Sequence, residues 1–211
     1  LRCLVGSEMC IRDSSILEHK PNNAVNKRPL ILVGKGIVYD TGGLSLKPTK
    51  GMDIMKVDMG GAACVISAIN AVAKSNLPVY VIGLIPATDN RPSGNAYAPG
   101  DVVEMYDGTN VEVLNTDAEG RMILADALSY AKKYNPELVI DMATLTGSAA
   151  RAIGHFGIVS MHNKAEKQHQ KLKEAGLEVY ERLAEMPFWD EYDELMKSDI
   201  ADIRNLSPIH I

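Results

Sequence analysis

Cysteines, aromatic residues and long apolar runs are all scarce in this chain of 211 residues. Its three cysteines, Cys3, Cys10 and Cys64, form an odd and sparse set without a CxxC pair, so a disulfide framework is not indicated. The longest apolar run, 79–87, is too short to span a bilayer. The first residues also lack the apolar core of a signal peptide. These absences favour a reducing, cytoplasmic setting without a membrane partner.

The charge balance of the chain is mildly acidic. Lys and Arg together number 22 and Asp and Glu 27, which gives a formal net charge of −5 at pH 7. Nucleic acids and anionic lipids attract basic surfaces, so we expect neither as a partner. With 46% hydrophobic and 23% charged residues, the composition is that of an ordinary globular protein and not of a disordered or fibrous one.

Apolar runs alternate with helical patterns along the middle of the chain. The patterns predict strands at 29–33, 79–87, 111–114, 138–145 and 157–161, helices at 62–76, 119–134, 164–185 and 189–197, and a loop over 35–58. This alternation predicts an α/β fold with a mixed central β-sheet flanked by helices. Ligands of such sheets bind at the carboxyl ends of strands. Those ends are the loop after Val33, the turn at 115–121 and the segment 144–147.

Acidic residues gather at these strand ends. Asp40 and Asp58 flank glycine-rich loops, whereas Asp117 and Glu119 lie two residues apart before a helix. One such acid alone is more often a helix cap than a metal ligand. Four carboxylates at one sheet edge, however, cannot all stay ionised without a cation, and a pair of divalent metals is a common device for activating water. Because no histidine lies in these loops, the site suits Mn²⁺ or Mg²⁺ and tolerates Zn²⁺.

The residues leave the role of Lys35 open. A lysine among acids is normally an ammonium in an ion pair, but a nearby dication can lower its pKa until the neutral amine binds the metal. A phosphate-binding loop around Lys35 is excluded because the GxxxxGK spacing followed by Ser or Thr is absent. A nucleophilic triad has no G-x-S-x-G motif to support it.

Four segments of the sequence closely resemble the leucyl aminopeptidase family, also called the cytosol aminopeptidases or peptidase family M17. They are VGKGIVYDTGGLSLK at 33–47, MDIMKVDMGGA at 52–62, NTDAEGR at 115–121 and DMATLTG at 141–147. Their order and spacing agree with the family from about residue 17 to about residue 205, and NTDAEGR is the family signature. The resemblance implies the zinc-peptidase-like catalytic domain of these enzymes.

The resemblance further implies a hydrolase, a two-metal aminopeptidase that releases N-terminal residues from peptides, with leucine preferred. Asp40 and Glu119 would bridge two divalent ions, Mn²⁺ or Zn²⁺. Asp117 would complete one metal site. Lys35 and Asp58 would complete the other, more exchangeable site, so the family favours the ligating amine for Lys35.

Two residues are implied to act in catalysis without binding metal. Lys47 would hold the scissile carbonyl and the oxyanion formed from it. Arg121 would hold a bicarbonate as general base, since its planar guanidinium suits bidentate binding of such an anion. The implied substrate-binding residues are Met55 at the side-chain subsite and, along the cleft, Asn115, Ala118, Thr144 and Gly147. Core packing is the alternative for Met55.

Domain boundaries and partners also follow from the resemblance. Residues 1–16 and 206–211 match nothing in the family, so we predict a non-family extension and tail, of the kind that adapter read-through produces, around a partial catalytic domain at 17–205. Family members continue past this point with elements that close the cleft and build a homohexamer, so the domain is predicted to be incomplete at its C-terminus. Cys64, on the apolar face of a helix, would be the one native cysteine. The implied partners are peptides with a free N-terminus; the alternative is a fragment that binds metal without turnover.

Overall fold

The computed structural model describes residues 13–207. It divides into two compact units, one reaching Thr144 and resuming at Met196, the other comprising Leu145–Leu195. Most of the predicted N-terminal extension and of the predicted tail, residues 1–12 and 208–211, lies outside the described residues. Residues 13–16 belong to a strand, and Ser14 is buried in it.

Ten strands and six helices are described. The strands are β1 (Asp13–His19), β2 (Leu30–Gly34), β3 (Gly36–Asp40), β4 (Val81–Asn90), β5 (Val102–Glu104), β6 (Asn110–Glu112), β7 (Leu138–Met142), β8 (Ile158–Ser160), β9 (Leu183–Glu185) and β10 (Ile203–Arg204). The helices are α1 (Thr49–Met52), α2 (Gly60–Lys74), α3 (Glu119–Ala131), α4 (Ser148–Ile153), α5 (Glu166–Glu178) and α6 (Glu191–Glu194). Short 3-10 turns cover Met55–Val57, Thr116–Ala118 and Lys132–Tyr134.

A five-stranded mixed sheet forms the centre of the first unit. Strand β4 pairs with β1 in antiparallel fashion, and with β2 and β3 in parallel along successive parts of its length. Strand β7 continues the sheet in parallel beyond β2. The predicted mixed central sheet is therefore confirmed. Because β2, β3, β4 and β7 run in one direction, their carboxyl ends lie at the same edge.

Helices cover both faces of this sheet. Successive strand residues point to opposite faces, so each strand contributes to two apolar clusters. Leu124 of α3 shares a buried cluster with Ile31 and Ile82. Val65 of α2 shares another with Val81 on the opposite face. The result is a helix–sheet–helix sandwich whose two core layers fix the starts of α2 and α3 against the sheet.

A second, three-stranded sheet in the same unit has the order β10-β6-β5, with β5 antiparallel and β10 parallel to β6. The pairing of β10 with β6 carries Asn205 to the segment just before the 3-10 turn Thr116–Ala118. There Asn205 Oδ1 accepts a hydrogen bond from Leu114 N at 2.9 Å, and its Nδ2 donates to Asn115 O at 2.8 Å.

The second unit is small and contains the parallel pair β8 and β9 with helices α4, α5 and α6. Among its described residues, His169 and Gly176 are the buried ones. The three buried apolar clusters all belong to the first unit.

Several predicted elements need correction. The helix predicted at 164–185 ends at Glu178, because Tyr180 takes a φ of 65° and the chain then forms β9. The helix predicted at 189–197 is the single turn α6, and β3 lies inside the predicted loop. Cys64 is exposed and not on the apolar face, because the buried stripe of α2 runs through Val65 and Ile69. None of the described helices is long and apolar enough to cross a membrane.

Candidate metal centre and active site

A hydrogen-bonded clamp joins the loop after β3 to the turn before α3. Thr116 Oγ1 donates to Gly42 O at 2.6 Å and accepts from Ser45 N at 2.7 Å, while Thr116 N donates to Ser45 Oγ at 3.1 Å. Gly42 has a φ of 85°, and a Cβ there would lie 2.5 Å from Ser45 O. Only glycine fits this close turn. The clamp places Asp40 beside Asp117.

Three carboxylates meet at this point. Asp40 ends β3, Asp117 lies in the 3-10 turn and Glu119 begins α3, and each offers one oxygen within 4.8 Å of the others. The cap of the 3-10 turn is Asn115, whose Oδ1 accepts from Asp117 N at 2.8 Å. The capping alternative for Asp117 is wrong, because the N-cap of α3 is Ala118 and no side chain makes a cap hydrogen bond there. The Asp117 side chain is left to face the site.

Lys35 lies between β2 and β3, almost fully buried. Its Nζ is 2.7 Å from Asp58 Oδ2 and 3.0 Å from Glu119 Oε1, and it donates to Thr144 O at 3.1 Å. Three acceptors around one amine match the three hydrogens of an ammonium. Asp58 is anchored in turn by Thr144 Oγ1, which donates to Asp58 Oδ1 at 2.7 Å. Lys35 thus joins the fourth predicted carboxylate, Asp58, to the cluster.

Lys47 approaches the cluster from the other side. Its Nζ is 2.9 Å from Asp40 Oδ2 and contacts Asp117 Oδ1. Burial by itself would lower the pKa of Lys47, but its hydrogen bonds to Asp117 and Asp40 outweigh burial and raise the pKa to about 12. Lys47 is therefore protonated and positively charged at neutral pH.

Negative charge exceeds positive charge in the cluster. The four carboxylates of Asp40, Asp58, Asp117 and Glu119 face two ammonium groups, which leaves two formal negative charges. Burial raises the pKa of Asp58, Asp117 and Glu119, although the neighbouring lysines oppose this shift. Divalent ions bind to buried carboxylates whose negative charge is not balanced by neighbouring cations. The residues present therefore fit a divalent metal.

Asn90, which the sequence analysis missed, joins two of these carboxylates. Its Nδ2 donates to Asp40 Oδ1 at 2.8 Å, to Glu119 Oε2 at 3.0 Å and to Thr116 O at 3.0 Å. The main-chain oxygen of Asn90 accepts from Thr41 N at 2.9 Å. The available signal was its place at the carboxyl end of β4, next to the ends of β2 and β3.

The guanidinium of Arg121 makes one hydrogen bond to the main chain. Its Nη1 donates to Asn205 O at 3.1 Å, whereas the buried Nε has no hydrogen-bond partner among the described residues. Burial lowers the pKa of Arg121, and Glu119 opposes this effect. Arg121 therefore keeps a buried donor that an anion could use. Asn205 is a second positioning residue that sequence patterns alone did not reveal.

The predicted substrate residues occupy different environments. Met55 is half-buried at the start of a 3-10 turn, and its main-chain oxygen accepts from Asp58 N. Ala118 is buried and Asn115 is the cap described above. Thr144 contacts Lys35 and Asp58. Gly147 belongs to the second unit, directly before α4.

The comparisons with known proteins decide the family. The family model for the catalytic domain of the cytosol aminopeptidase family matches residues 10–210. This chain belongs to the cytosol aminopeptidase family. A probable cytosol aminopeptidase of Chlorobium limicola is 54% identical over 193 residues, which are 91% of this chain and 38% of that protein. The chain therefore spans about two-fifths of the length of the curated relatives it matches. The family match includes residues 10–16 and 206–210, which the sequence analysis assigned to non-family ends.

Solved structures of the family agree with the fold. The leucine aminopeptidase of Caenorhabditis elegans has a TM-score of 0.87 and 38% identity, covering 92% of this chain and 40% of its own. The bottromycin maturation enzyme BotP in complex with Mn has a TM-score of 0.86 and 37% identity, covering 94% of this chain and 43% of its own. The fold described above is that of the aminopeptidase catalytic domain, and one of the solved structures that share it, BotP, is in complex with Mn.

Proposed function

We propose that the protein to which this chain belongs is a metal-dependent aminopeptidase that hydrolyses the first peptide bond of peptides. The observation that carries this proposal is the buried convergence of Asp40, Asp117 and Glu119, with Lys35 and Asp58 beside them. The family match supports peptide hydrolysis as the chemistry.

The chain offers donors for two divalent ions. Asp40 and Glu119 would be shared by both ions, Asp117 would complete one site, and Lys35 with Asp58 would complete the other. When bound, such a pair lowers the pKa of water and polarises the substrate carbonyl. We propose Mn²⁺ or Zn²⁺, because carboxylate oxygens accept both and BotP binds Mn. Lys35 would have to lose a proton before its amine could bind a metal ion, and a nearby dication favours that loss.

Lys47 and Arg121 would act on the substrate and on the proton. Lys47 contacts Asp40 and Asp117, the carboxylates that would hold metal, and once released from them it would hold the scissile carbonyl and the developing oxyanion. Arg121, whose buried Nε has no hydrogen-bond partner in the described part of the chain, would bind bicarbonate as the general base.

A free α-amine would be required because it is a natural further ligand at the divalent ions, and an internal peptide bond lacks it. Leucine is the proposed preferred side chain. Met55 would line its subsite, and the turn at Asn115 and Ala118 together with Thr144 would form the cleft. We further propose a cytoplasmic setting for the whole protein, in keeping with the name of its relatives, and a homohexamer, which the family resemblance implies.

Turnover of leucine 4-nitroanilide by the chelator-treated chain, with and without added Mn²⁺ or Zn²⁺, tests the proposal. We expect release only with metal, and none from N-acetyl-leucine 4-nitroanilide, whose amine is blocked. Glu119→Gln is expected to lower kcat/KM by more than the roughly 100-fold that loss of an outer-shell partner can cost. Glu137→Gln, at an exposed glutamate, is the matched control.

Metal-independent release, or unchanged turnover by Glu119→Gln, would contradict the proposal. Titration calorimetry with Mn²⁺ separates the alternative function. Binding of the metal without any product would show that this chain is a metal-binding fragment and not a working enzyme.

A further inference from the structure

Two histidines and a glutamate converge in the second unit, outside the carboxylate cluster. His162 follows β8, His169 lies in α5 and Glu185 ends β9. His162 Nε2 is 3.2 Å from Glu185 Oε1, and His169 Nδ1 is 3.6 Å from Glu185 Oε2. The two imidazole rings lie 4.9 Å apart between centroids. Each of the three residues offers one ligand atom within 4.8 Å of the others.

A serine hydroxyl holds the far ring nitrogen of His169. Ser160 Oγ lies 2.9 Å from His169 Nε2 and 3.4 Å from Ala184 O, an arrangement in which the hydroxyl can accept from Nε2. In a neutral ring, Nδ1 then carries a lone pair and faces the carboxylate of Glu185. Two acceptors cannot face each other without a proton or a cation between them. A metal-binding histidine commonly has this arrangement, with its far nitrogen held by a neighbouring oxygen.

The distances suit a small transition-metal ion. Zn²⁺ binds imidazole nitrogen and carboxylate oxygen at roughly 2.0–2.2 Å, so neighbouring ligand atoms of a tetrahedral site lie about 3.3–3.6 Å apart. The two nitrogen–oxygen separations, 3.2 Å to Oε1 and 3.6 Å to Oε2, involve different oxygens of the Glu185 carboxylate, and each falls at or near that range. His162 Nδ1 has no hydrogen-bond partner among the described residues. No hydrogen bond at Nδ1 therefore requires the tautomer that carries its proton on Nε2. We propose that His162, His169 and Glu185 bind a transition-metal ion of the Zn²⁺ class, with water as a fourth ligand.

Lys173 is the competitor for this ion. Its Nζ lies 2.9 Å from Glu185 Oε2, and its side chain is 30% exposed. A dication on Glu185 would repel the ammonium, and the flexible stem lets it turn towards solvent. Lys173→Gln removes this competing charge and is expected to strengthen metal binding.

The proposed ion would be structural. It would join the end of β8, the first half of α5 and the end of β9, three elements that share no buried apolar cluster among the described residues. Small units with little apolar core commonly depend on a metal or a disulfide for stability. Its role therefore does not depend on the proposed aminopeptidase activity.

The ring nitrogens of histidine provide the test, because the carboxylate–lysine cluster contains no imidazole. Zn²⁺ is added to the ¹⁵N-labelled, tag-free full chain after chelator treatment, and the long-range ¹H–¹⁵N signals of its five histidines are recorded. We expect metal-induced shifts at Nε2 of His162 and Nδ1 of His169. The signals of the exposed His155 should not change.

Competition titration with a chromophoric Zn²⁺ chelator gives the affinity. Glu185→Gln and His162→Gln should each weaken the imidazole-bound Zn²⁺ at least about tenfold, whereas His155→Gln should not. If His162 and His169 shift only with pH and not with Zn²⁺, or if both variants bind Zn²⁺ as the unmodified chain does, the cluster is an imidazolium–carboxylate ion pair and the proposal is wrong.

Discussion

Asn90 offers the sharpest test of how the carboxylate cluster is held together. Within residues 13–207, its Nδ2 group is the one neutral side-chain donor that contacts both Asp40 and Glu119, at 2.8 and 3.0 Å. Asn90 is buried, so solvent does not compete with this donor in the native chain. Asn90→Ala removes the donor, and Asn90→Asp replaces it by an oxygen of nearly the same shape.

The size of the effect follows from the two contacts to carboxylates. A hydrogen bond to a charged group contributes about 1.5–3 kcal/mol, so losing two would cost about 3–6 kcal/mol. Lys35 and Lys47 still hold the same carboxylates, which places the expected loss for Asn90→Ala near the lower end, about 3 kcal/mol. Since a factor of ten corresponds to about 1.4 kcal/mol, the unfolding equilibrium should shift by roughly 100-fold.

Asn90→Asp should cost more than Asn90→Ala, although it changes the shape less. The new carboxylate would face Asp40, Glu119 and Thr116 O at about the distances of the present hydrogen bonds, so three attractive contacts become repulsive. Urea unfolding followed by circular dichroism, in chelator and then in Mn²⁺, measures both losses. We expect Mn²⁺ to reduce the difference in free energy of unfolding between the two variants, because the dication compensates the added negative charge.

The control for Asn90→Asp is Asn95→Asp, at an exposed asparagine of the following loop. Its free energy of unfolding should stay within about 0.5 kcal/mol of the unmodified chain. An Asn90→Asp chain as stable as Asn90→Ala in chelator would refute the view that this amide holds two carboxylates together. So would an equal loss at Asn95.

Two further predictions concern stability away from the ligands. Burial raises the pKa of Asp126, and the hydrogen bond from Tyr106 N opposes the shift, so its charge disfavours the native state once the pH exceeds the raised pKa. Asp126→Asn should therefore raise the melting temperature more at pH 7 than at pH 4, and an equal change at both pH values would contradict this. Gly61→Ala should cost at least about 3 kcal/mol in urea unfolding, the top of the usual overpacking range, because a Cβ there would lie 2.0 Å from Met142 O. Gly94→Ala, with open space around it, is the control and should be close to neutral.

The sequence predicted the central fold well because the strong periodic segments decide it. The buried strands β2 and β4 and the helices α2 and α3 were found from apolar runs and helical spacing, and these elements form the two core layers. Strand β3 was missed because its five residues begin with glycine and end with aspartate, which hides the pattern. Strand β9 was missed because the charged pattern before it continues a helical period that Tyr180 breaks by its backbone conformation.

The sequence predicted some residues of the site but not others. Acidic residues at strand ends are visible in a sequence, and Asp40, Asp58, Asp117 and Glu119 do converge in the structure. The amides that hold them are not visible, because an asparagine in a loop has many ordinary uses. Asn205 in particular reaches the turn before α3 only through the pairing of β10 with β6, which no local pattern predicts.

The two lysines of the cluster differ in a way that bears on their proposed roles. Lys35 is 3% exposed and is held by two carboxylates and the main-chain oxygen of Thr144, so its amine cannot leave the site without losing three buried contacts. The Lys47 side chain is 19% exposed, lies in a loop, and has the carboxylates of Asp40 and Asp117 as its partners among the described residues. Lys47 can therefore leave its carboxylates more easily than Lys35 can leave Asp58 and Glu119. This difference supports the proposal that Lys35 stays in the metal site as a ligand and that Lys47 is the substrate-binding cation.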